Sequence, residues 1–240
     1  MISFVVVTYN SGNTLRNCLK SLITQKDSEI IVVDNKSSDD SPSIAKSFNS
    51  VKLVNSGDNL GFNGGNQLGF EKSKGNIVVF LNPDASVPKD FSSKIEEAFK
   101  NEEAEVIGCR ILNEDGSLQR TCNTFPNLRS MLYEHSGYHL IFPNSKSYKK
   151  FIYSDWDRKS ARYVDAVSGA CTAIKRITLD RIGGLDTRYF LFSNSSIRGA
   201  SFIASGLVPK IVMIFIFSFL LSRLGCNKSD FDQYFCYNVE

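Results

Sequence analysis

The chain has 240 residues, of which 42% are hydrophobic and 22% are charged, with a formal net charge of +3. This composition supplies one sizeable core, most simply in one domain, and excludes an intrinsically disordered chain. The small net charge lacks the strongly basic pattern of nucleic-acid-binding proteins, so we expect no nucleic acid among the partners.

Six cysteines and two histidines bear on metal binding and on the redox compartment. The cysteines form no Cys-x-x-Cys pair and no zinc-like spacing, so we expect buried or idle thiols. The chain runs from Met1 straight into an apolar segment, without the features of a secretory signal. A reducing, cytoplasmic setting is therefore the expectation.

Up to residue 100, strand-like segments alternate with helix-like segments. Continuous apolar runs predict buried strands at 4–7, 30–33, 51–54 and 77–81. Apolar residues at helical spacing predict helices over 14–23, 41–48 and 91–99, and the glycine-rich segment 57–69 leads toward another helix. Strands that alternate with helices predict an α/β fold with a parallel sheet.

Beyond residue 104 the pattern changes to strands and loops. We expect a strand over 106–112, a turn at Asp115-Gly116, a strand over 163–174 and a short helix that ends at Gly183-Gly184. The polar, aromatic stretch 123–162 between these elements is typical of a substrate-side lobe.

The tripeptide Asn82-Pro83-Asp84 directly follows the apolar run 77–81. It places a carboxylate where a parallel strand ends, which is the edge at which open α/β sheets bind ligands. One acid there can hold a divalent ion against phosphate oxygens, so the tripeptide predicts a nucleoside diphosphate site. The alternative is a turn that only ends the strand.

Several short segments occur in an order that a known family shares. They are Val6-Val7-Thr8-Tyr9-Asn10, Ile31-Val32-Val33-Asp34-Asn35, Asn59-Leu60-Gly61-Phe62-Asn63-Gly64-Gly65-Asn66, Leu81-Asn82-Pro83-Asp84, and Val167-Ser168-Gly169-Ala170 with Gly183-Gly184-Leu185-Asp186-Thr187-Arg188-Tyr189-Phe190-Leu191. Together they resemble a family 2 glycosyltransferase of the GT-A fold, in particular the bacterial rhamnosyltransferase-like enzymes. The resemblance implies a Rossmann-like, mostly parallel sheet flanked by helices, with an acceptor-side lobe.

The resemblance also divides the chain. It covers a GT-A domain over 1–194, in which 1–104 is the nucleotide-binding half and 105–194 the acceptor half. The remainder, 195–240, is an atypical tail.

By this resemblance, Thr8, Tyr9 and Asn10 line the nucleotide pocket, and Asp34 accepts a hydrogen bond from the pyrimidine base. The chemistry fits, because a carboxylate accepts from an imide N–H. The alternative is that Asp34 only caps a turn or a helix.

The glycine-rich segment resembles the family's loop beside the nucleotide. Its implied contacts to sugar or phosphate come from Asn59, Gly61, Phe62, Asn63, Gly65 and Asn66. Without the resemblance, the segment predicts only a connection, because it lacks the G-x-G-x-x-G spacing of a dinucleotide site. The same lack argues against a Rossmann oxidoreductase.

The resemblance makes Asp84 the ligand of Mg²⁺ or Mn²⁺, with Asn82 as a weak carbonyl ligand. The implied reaction moves a sugar with inversion from a nucleoside diphosphate sugar, of dTDP-rhamnose or UDP-hexose type. The implied acceptor is a saccharide or a polyprenyl-diphosphate-linked saccharide in cell-surface polysaccharide synthesis. The acceptor-side candidates are Asp165, Ser168, Gly169 and Ala170.

The chain departs from the family where the general base is expected. Relatives place an acidic pair after the segment that ends here at Phe192, whereas this chain has Ser193, Asn194, Ser195 and Ser196. None of these side chains is a carboxylate base, and Asp165 is a weak substitute. A nucleotide-sugar-binding domain without catalytic activity is therefore the alternative function.

The tail resembles unrelated sequence joined at about residue 194, as a frameshift or a truncation would produce. Within its apolar segment 207–224, residues 211–222 are uncharged. A helix of that length spans about 18 Å, short of the roughly 30 Å hydrocarbon core, so an interfacial anchor is favoured over a buried helix. The corresponding location is the inner face of the cell membrane.

Two further sets of residues each allow a functional and a purely structural interpretation. Asp155, Trp156 and Asp157 line an acceptor pocket or form an ordinary solvated loop, the second being favoured. His135 and His139 stand four residues apart, but without an acidic partner they indicate a surface position or packing in the acceptor lobe rather than a metal site.

Overall fold

The computed structural model describes residues 1–100, 104–119, 122–124, 145–158, 160–188 and 201–202. The strands are β1 Ile2–Thr8, β2 Ser28–Asp34, β3 Val51–Asn55, β4 Ile77–Leu81, β5 Val106–Gly108, β6 Cys122–Asn123, β7 Arg162–Tyr163, β8 Ala166–Val167, β9 Cys171–Lys175 and β10 Ser201–Phe202. The helices are α1 Gly12–Leu22, α2 Ser41–Lys46, α3 Gly61–Lys72, α4 Phe91–Ala98, α5 Lys146–Phe151 and α6 Arg176–Ile182.

The main sheet has the strand order β3-β2-β1-β4-β9-β5-β10-β7. Neighbours among β3, β2, β1 and β4 are parallel, and β9 runs antiparallel to β4 and β5. A second small sheet pairs β6 with β8. The predicted α/β fold with a mostly parallel sheet flanked by helices is confirmed.

The register brings four strand ends to one edge of the sheet. Thr8 lies opposite Asp34, and Asp34 lies opposite Asn55. On the other side of β1, Leu81 is paired with Val6, so the chain leaves β4 at the same edge. The loops after β1 to β4 therefore meet there.

Alternation along the buried strands divides the core between the two faces of the sheet. Phe4 and Val6 point to the face that α1, α2 and α4 cover, where the Phe4 and Phe91 ring centroids lie 6.1 Å apart. Val5 points to the opposite face, where it packs in a second cluster with Phe70 of α3 and Leu179 of α6. Burial of both faces explains the continuous apolar runs.

Two predicted strands are wrong in extent. The strand expected over 106–112 ends at Gly108, because the chain then turns through Asp115-Gly116, where the Asn113 N–H donates to the Ser117 carbonyl at 2.8 Å. The strand expected over 163–174 is divided into β7, β8 and β9, since β8 leaves the main sheet to pair with β6.

The glycine-rich segment is helical where a loop was expected, because α3 begins at Gly61. Gly65 and Gly69 are the positions at which this helix approaches β1. A β carbon at Gly65 would stand 2.7 Å from Val7 Cγ1, so only glycine allows the helix to lie this close. The predicted short helix is confirmed as α6, which ends at Gly183 with φ of 80°.

None of the helices within the described ranges is long and apolar enough to cross a membrane. The boundary at about residue 194, the segment 207–224, His135 and His139, and the stretch 193–196 lie outside the described residues.

Candidate functional site

Thr8 and Asp34 form the centre of the strand edge. Both are buried, and the Asn35 N–H extends the ladder by donating to the Thr8 carbonyl at 2.8 Å. The Asp34 carboxylate accepts the Ser37 N–H at 3.3 Å, as a turn cap does. A carboxylate keeps further lone pairs when it accepts one N–H, so the cap and a contact to a base are compatible.

The loop after β1 is fastened to the loop after β2. Asn10 has φ of 53°, and its Oδ1 accepts the Ser38 N–H at 2.8 Å while its own N–H donates to Ser37 Oγ at 3.0 Å. The Asn10 side chain is thus committed to the protein. Tyr9 is 52% exposed, so of the two it is the one that a ligand can reach.

Asp39 caps α1 from the neighbouring loop. Its Oδ2 accepts the Gly12 N–H at 2.8 Å, and its Oδ1 accepts the Ser41 N–H at 3.0 Å. Burial acts to raise the pKa of Asp39, but the hydrogen bonds from Ser41 and Gly12 outweigh it and hold that pKa below its ordinary value. Both loops therefore present a rigid rim.

Asp84 occupies the third position of a β-turn that follows β4. The turn is closed by the Ala85 N–H, which donates to the Asn82 carbonyl at 3.2 Å, with Pro83 at the second position. The predicted turn is therefore present, and it exposes the Asp84 carboxylate. No hydrogen bond or ion pair joins that carboxylate to another described residue.

The negative charge of Asp84 acts on the Cys18 thiol, which belongs to α1. Burial, the Asp84 charge and Cys171 together raise the pKa of the Cys18 thiol to about 12. Cys18 belongs to the same core cluster as Val6 and Leu81, so Asp84 lies at the end of that cluster, toward the carboxyl edge of β1 and β4.

The metal ligands available at this edge suit a divalent cation that binds both the protein and a substrate. Among the described residues no group of three His, Cys, Asp or Glu side chains gathers to form a complete metal cage. Mg²⁺ in nucleotide sites is commonly bound through one or two carboxylates plus phosphate oxygens and water. The exposed Asp84 carboxylate at the strand edge meets that requirement.

The amides of α3 have partners within the protein. Asn63 and Asn66 are buried, and their Nδ2 atoms donate to the Asp186 carbonyl at 3.0 Å and to the Phe62 carbonyl at 2.9 Å. Asn59 Oδ1 accepts the Gly61 N–H at 2.9 Å. These contacts give the residues a structural role, and their contact with sugar or phosphate stays a prediction.

The predicted acceptor loop, 168–170, lies beside the turn that follows β4. The Ala170 carbonyl accepts the Asn82 N–H at 2.9 Å, and the Ala170 N–H donates to Ser168 Oγ at 3.3 Å. A β carbon at Gly169 would stand 3.0 Å from the Phe62 ring. The structure therefore brings 168–170 against both Phe62 and the turn that carries Asp84.

Asp165 lies in a separate part of the acceptor half, where it is exposed. Its N–H donates to the Tyr153 hydroxyl at 3.0 Å, which ties it to the small core of Cys122, Tyr153, Trp156, Val164 and Val167. Trp156 is 9% exposed, and Asp155 pairs with Arg162 at 2.9 Å. The Trp156 ring is therefore a core group rather than an open surface for a sugar.

Gln67 was missed by sequence reasoning. Its Oε1 accepts the Leu185 N–H at 2.8 Å, and Gln67 stands one helical turn after Asn63, which holds Asp186. The two amides fix the start of the segment that leads toward the stretch 193–196. The sequence did contain a signal for this role. Two amide side chains, Asn63 and Gln67, are four residues apart in a segment with glycine at every fourth position.

Comparisons with known proteins add to this geometry. The family model described as "Glycosyl transferase family 2" matches residues 3–156, a range that includes Thr8, Asp34 and Asp84. The low-salt glycan biosynthesis hexosyltransferase Agl10 of Haloferax volcanii is 26% identical over 195 residues, which are 80% of this chain and 58% of that protein. The N-acetylglucosaminyl-diphospho-decaprenol L-rhamnosyltransferase of Mycobacterium tuberculosis is 27% identical over 214 residues, 80% of this chain and 67% of that protein.

Solved structures with the same fold include S. aureus TarS 1-349, with a TM-score of 0.58 and 15% identity over 86% of this chain and 59% of that one. The mannosyltransferase PcManGT from Pyrobaculum calidifontis, in complex with GDP-Man and Mn²⁺, has a TM-score of 0.59 and 17% identity over 85% of this chain and 54% of that one. The chain thus spans little more than half the length of these two structures.

Proposed function

The chain belongs to glycosyl transferase family 2, and on that premise we propose that it binds a nucleoside diphosphate sugar at the carboxyl edge of its parallel strands. The observation that carries the proposal is the placement of Asp34 and Asp84 on either side of β1 at that edge. Their strands are two spacings apart, or about 10 Å. A nucleoside diphosphate laid across β1 has its base and its phosphates separated in the same way.

In this arrangement Asp34 accepts the imide N–H of a pyrimidine base, and the exposed Tyr9 lies at the pocket rim with Thr8 and Asn10 behind it. Asp84, assisted by the Asn82 carbonyl group, holds Mg²⁺ or Mn²⁺ against the phosphates. Such a cation supplies positive charge that offsets the charge on the departing nucleoside diphosphate. The structurally similar mannosyltransferase, solved with GDP-Man and Mn²⁺, supports the pairing of a nucleotide sugar with a divalent cation.

We extend the proposal to the transfer reaction of the family. The donor is of dTDP-rhamnose or UDP-hexose type, and the acceptor is a saccharide or a polyprenyl-diphosphate-linked saccharide bound near Asp165 and 168–170. The names of the hexosyltransferase and rhamnosyltransferase relatives support a role in glycan synthesis. The reaction proceeds with inversion, at the cytoplasmic face of the cell membrane, with 1–194 as the GT-A domain and 207–224 as a membrane-contacting segment.

A second candidate function is a nucleotide-sugar-binding domain without turnover. The observation that favours it is Ser193-Asn194-Ser195-Ser196, which offers no carboxylate where relatives carry their base. Inverting transfer needs a base within about 3 Å of the acceptor hydroxyl proton, directly or through one water. The two candidate functions share the nucleotide-sugar site and differ in turnover, and the missing carboxylate favours binding with little or no transfer.

Calorimetry tests the binding site. UDP and dTDP are titrated into the protein with Mn²⁺ and, separately, with EDTA. The wild type should bind only with the cation, and Asp84→Ala should lose that difference. Asp115→Asn, which changes an exposed turn carboxylate elsewhere, is the matched control. Equal binding with and without Mn²⁺ would show that Asp84 is not a metal ligand.

The donor is identified by thermal stabilisation. Nucleotide sugars that bind the folded chain raise its unfolding temperature, and at equal ligand concentration a lower Kd gives a larger rise. A screen in the presence of Mn²⁺ should select a dTDP or UDP sugar over CDP sugars, because cytosine lacks the imide N–H that Asp34 accepts.

A further inference from the structure

A line of polar side chains on and just after α1 faces the backbone that follows β4. Cys18, Ser21 and Gln25 are three and four residues apart, a spacing that places them along one side of a helix. Gln25 follows the last turn, where its N–H donates to the Leu22 carbonyl at 3.0 Å. None of the three is among the residues that the family resemblance singles out.

The first two contacts hold the turn that carries Asp84. The Cys18 thiol lies 3.8 Å from the Asn82 carbonyl, to which it donates. Ser21 Oγ donates to the Cys18 carbonyl at 2.7 Å and accepts the Val87 N–H at 3.1 Å. The backbone is therefore held on both sides of Asp84.

The third contact holds the end of the same segment. Gln25 Nε2 donates to the Pro88 carbonyl at 2.9 Å, and its Oε1 accepts the Ser92 N–H at 3.0 Å and the Ser92 hydroxyl at 3.1 Å. Ser92 lies in the first turn of α4, whose N-cap residue Asp90 makes no side-chain cap hydrogen bond. Gln25 thus supplies the missing cap from another helix.

These contacts act on Asp84 together with the hydrogen bond from the Asn82 N–H to the Ala170 carbonyl and the packing of Ala85 and Val87 against the core. Between Asn82 and Asp90 the chain has no regular element, and the turn around Asp84 is closed by one backbone hydrogen bond.

We propose that Cys18, Ser21 and Gln25 are positioning residues that set the location of the Asp84 carboxylate for a cation–diphosphate complex. The inference rests on the proposed function, since it assigns the support of the same site. It predicts that loosening the segment weakens cation-dependent nucleotide binding although no ligand-contacting group has been changed.

The test uses Ser21→Ala and Gln25→Met. Ser47→Ala is the matched control, because Ser47 Oγ also donates to the carbonyl three residues earlier, at 2.7 Å, and Ser47 follows α2 instead of lying on α1. Ser21→Thr keeps the hydroxyl and is the rescue variant. The measurements are Mn²⁺ affinity in the presence of UDP, by electron paramagnetic resonance, and amide hydrogen exchange of 83–92 without ligand.

Ser21→Ala should bind Mn²⁺ about twofold to tenfold more weakly, as expected for the loss of the one hydrogen bond that Ser21 makes to Val87. Gln25→Met loses three hydrogen bonds to 88–92 and should bind Mn²⁺ at least as weakly. Exchange at 83–92 should rise in the same variants, whereas Ser21→Thr and Ser47→Ala should match the wild type. If the wild type binds Mn²⁺ with UDP and both variants bind equally well, the inference is wrong and the proposed function stands. If the wild type shows no cation-dependent binding, the proposed function fails and the inference with it.

Discussion

Gly69 of α3 lies so close to Val5 of β1 that a β carbon at residue 69 would stand 2.2 Å from Val5 Cγ1. Val5 is fully buried, so its side chain has no open space into which to move. The helix therefore rests on the strand at a distance that glycine alone permits. This relationship sets how closely α3 packs on β1.

Gly69→Ala should destabilise the fold. Alanine is better than glycine in a helix by about 1 kcal/mol, but overpacking of a tight core costs about 1–3 kcal/mol, and this contact is severe. A net loss of about 1–2 kcal/mol is expected from urea unfolding, with the denaturant slope unchanged.

Val5→Ala provides the control for that prediction. Because it removes the methyl groups that the new β carbon meets, Val5→Ala with Gly69→Ala should be more stable than the sum of the single changes. Additive effects in the double-mutant cycle would mean that the two positions do not compete for space.

Asp34→Asn should weaken UDP binding about tenfold to a hundredfold, since a hydrogen bond to a charged group contributes about 1.5–3 kcal/mol. The amide oxygen still accepts the Ser37 N–H, so the loop itself should be unchanged. The specific check is UDP methylated at N3, which lacks the imide N–H. The wild type should discriminate against it more strongly than Asp34→Asn, whose neutral amide oxygen is the weaker acceptor. Equal discrimination by both proteins would show that Asp34 does not contact the base.

Ionisation of the Cys18 thiol in the unfolded state should lower the free energy of unfolding at alkaline pH. Its pKa is raised from 9.0 to about 12 by burial first, and then by the charges of Asp84 and Cys171. The unfolded thiol ionises above pH 9.0 while the folded thiol keeps its proton, so the unfolding free energy falls as pH rises between these values.

Cys18→Ser removes this titration and keeps a donor for the Asn82 carbonyl. From about pH 8 to about pH 10, the variant should lose about 1.4 kcal/mol less unfolding free energy than the wild type. Parallel stability curves over that range would show that the Cys18 thiol does not remain protonated in the folded protein.

Sugar transfer by this chain should be absent or slow, because no carboxylate stands at 193–196. Single-turnover assays with dTDP-rhamnose or UDP-glucose, Mn²⁺ and a polyprenyl-diphosphate-linked saccharide would measure it. Robust transfer would contradict the inactive alternative. In that case Asp165→Asn should abolish transfer and leave UDP binding unchanged.

Local chemistry was readable from the sequence. The strand Ile77–Leu81 was predicted with its observed bounds, because apolar runs and the following proline act within a few residues. The α/β fold and the family were predicted correctly, since segments at successive strand ends keep their order along the chain. Asp84 was placed at the strand edge by the same local logic.

The tertiary structure decided which polar and small residues support the site. Asn63 meets Asp186 across 123 positions of sequence, and Gln25 meets Ser92 across 67. Gly65 and Gly69 were expected in a ligand loop, whereas they allow a helix to lie against β1. Periodicity and turn chemistry depend on residues that are close along the chain. Residues this distant in sequence come into contact only when the helices pack on the sheet. The close packing of the interior then determines which side chain fits at each position.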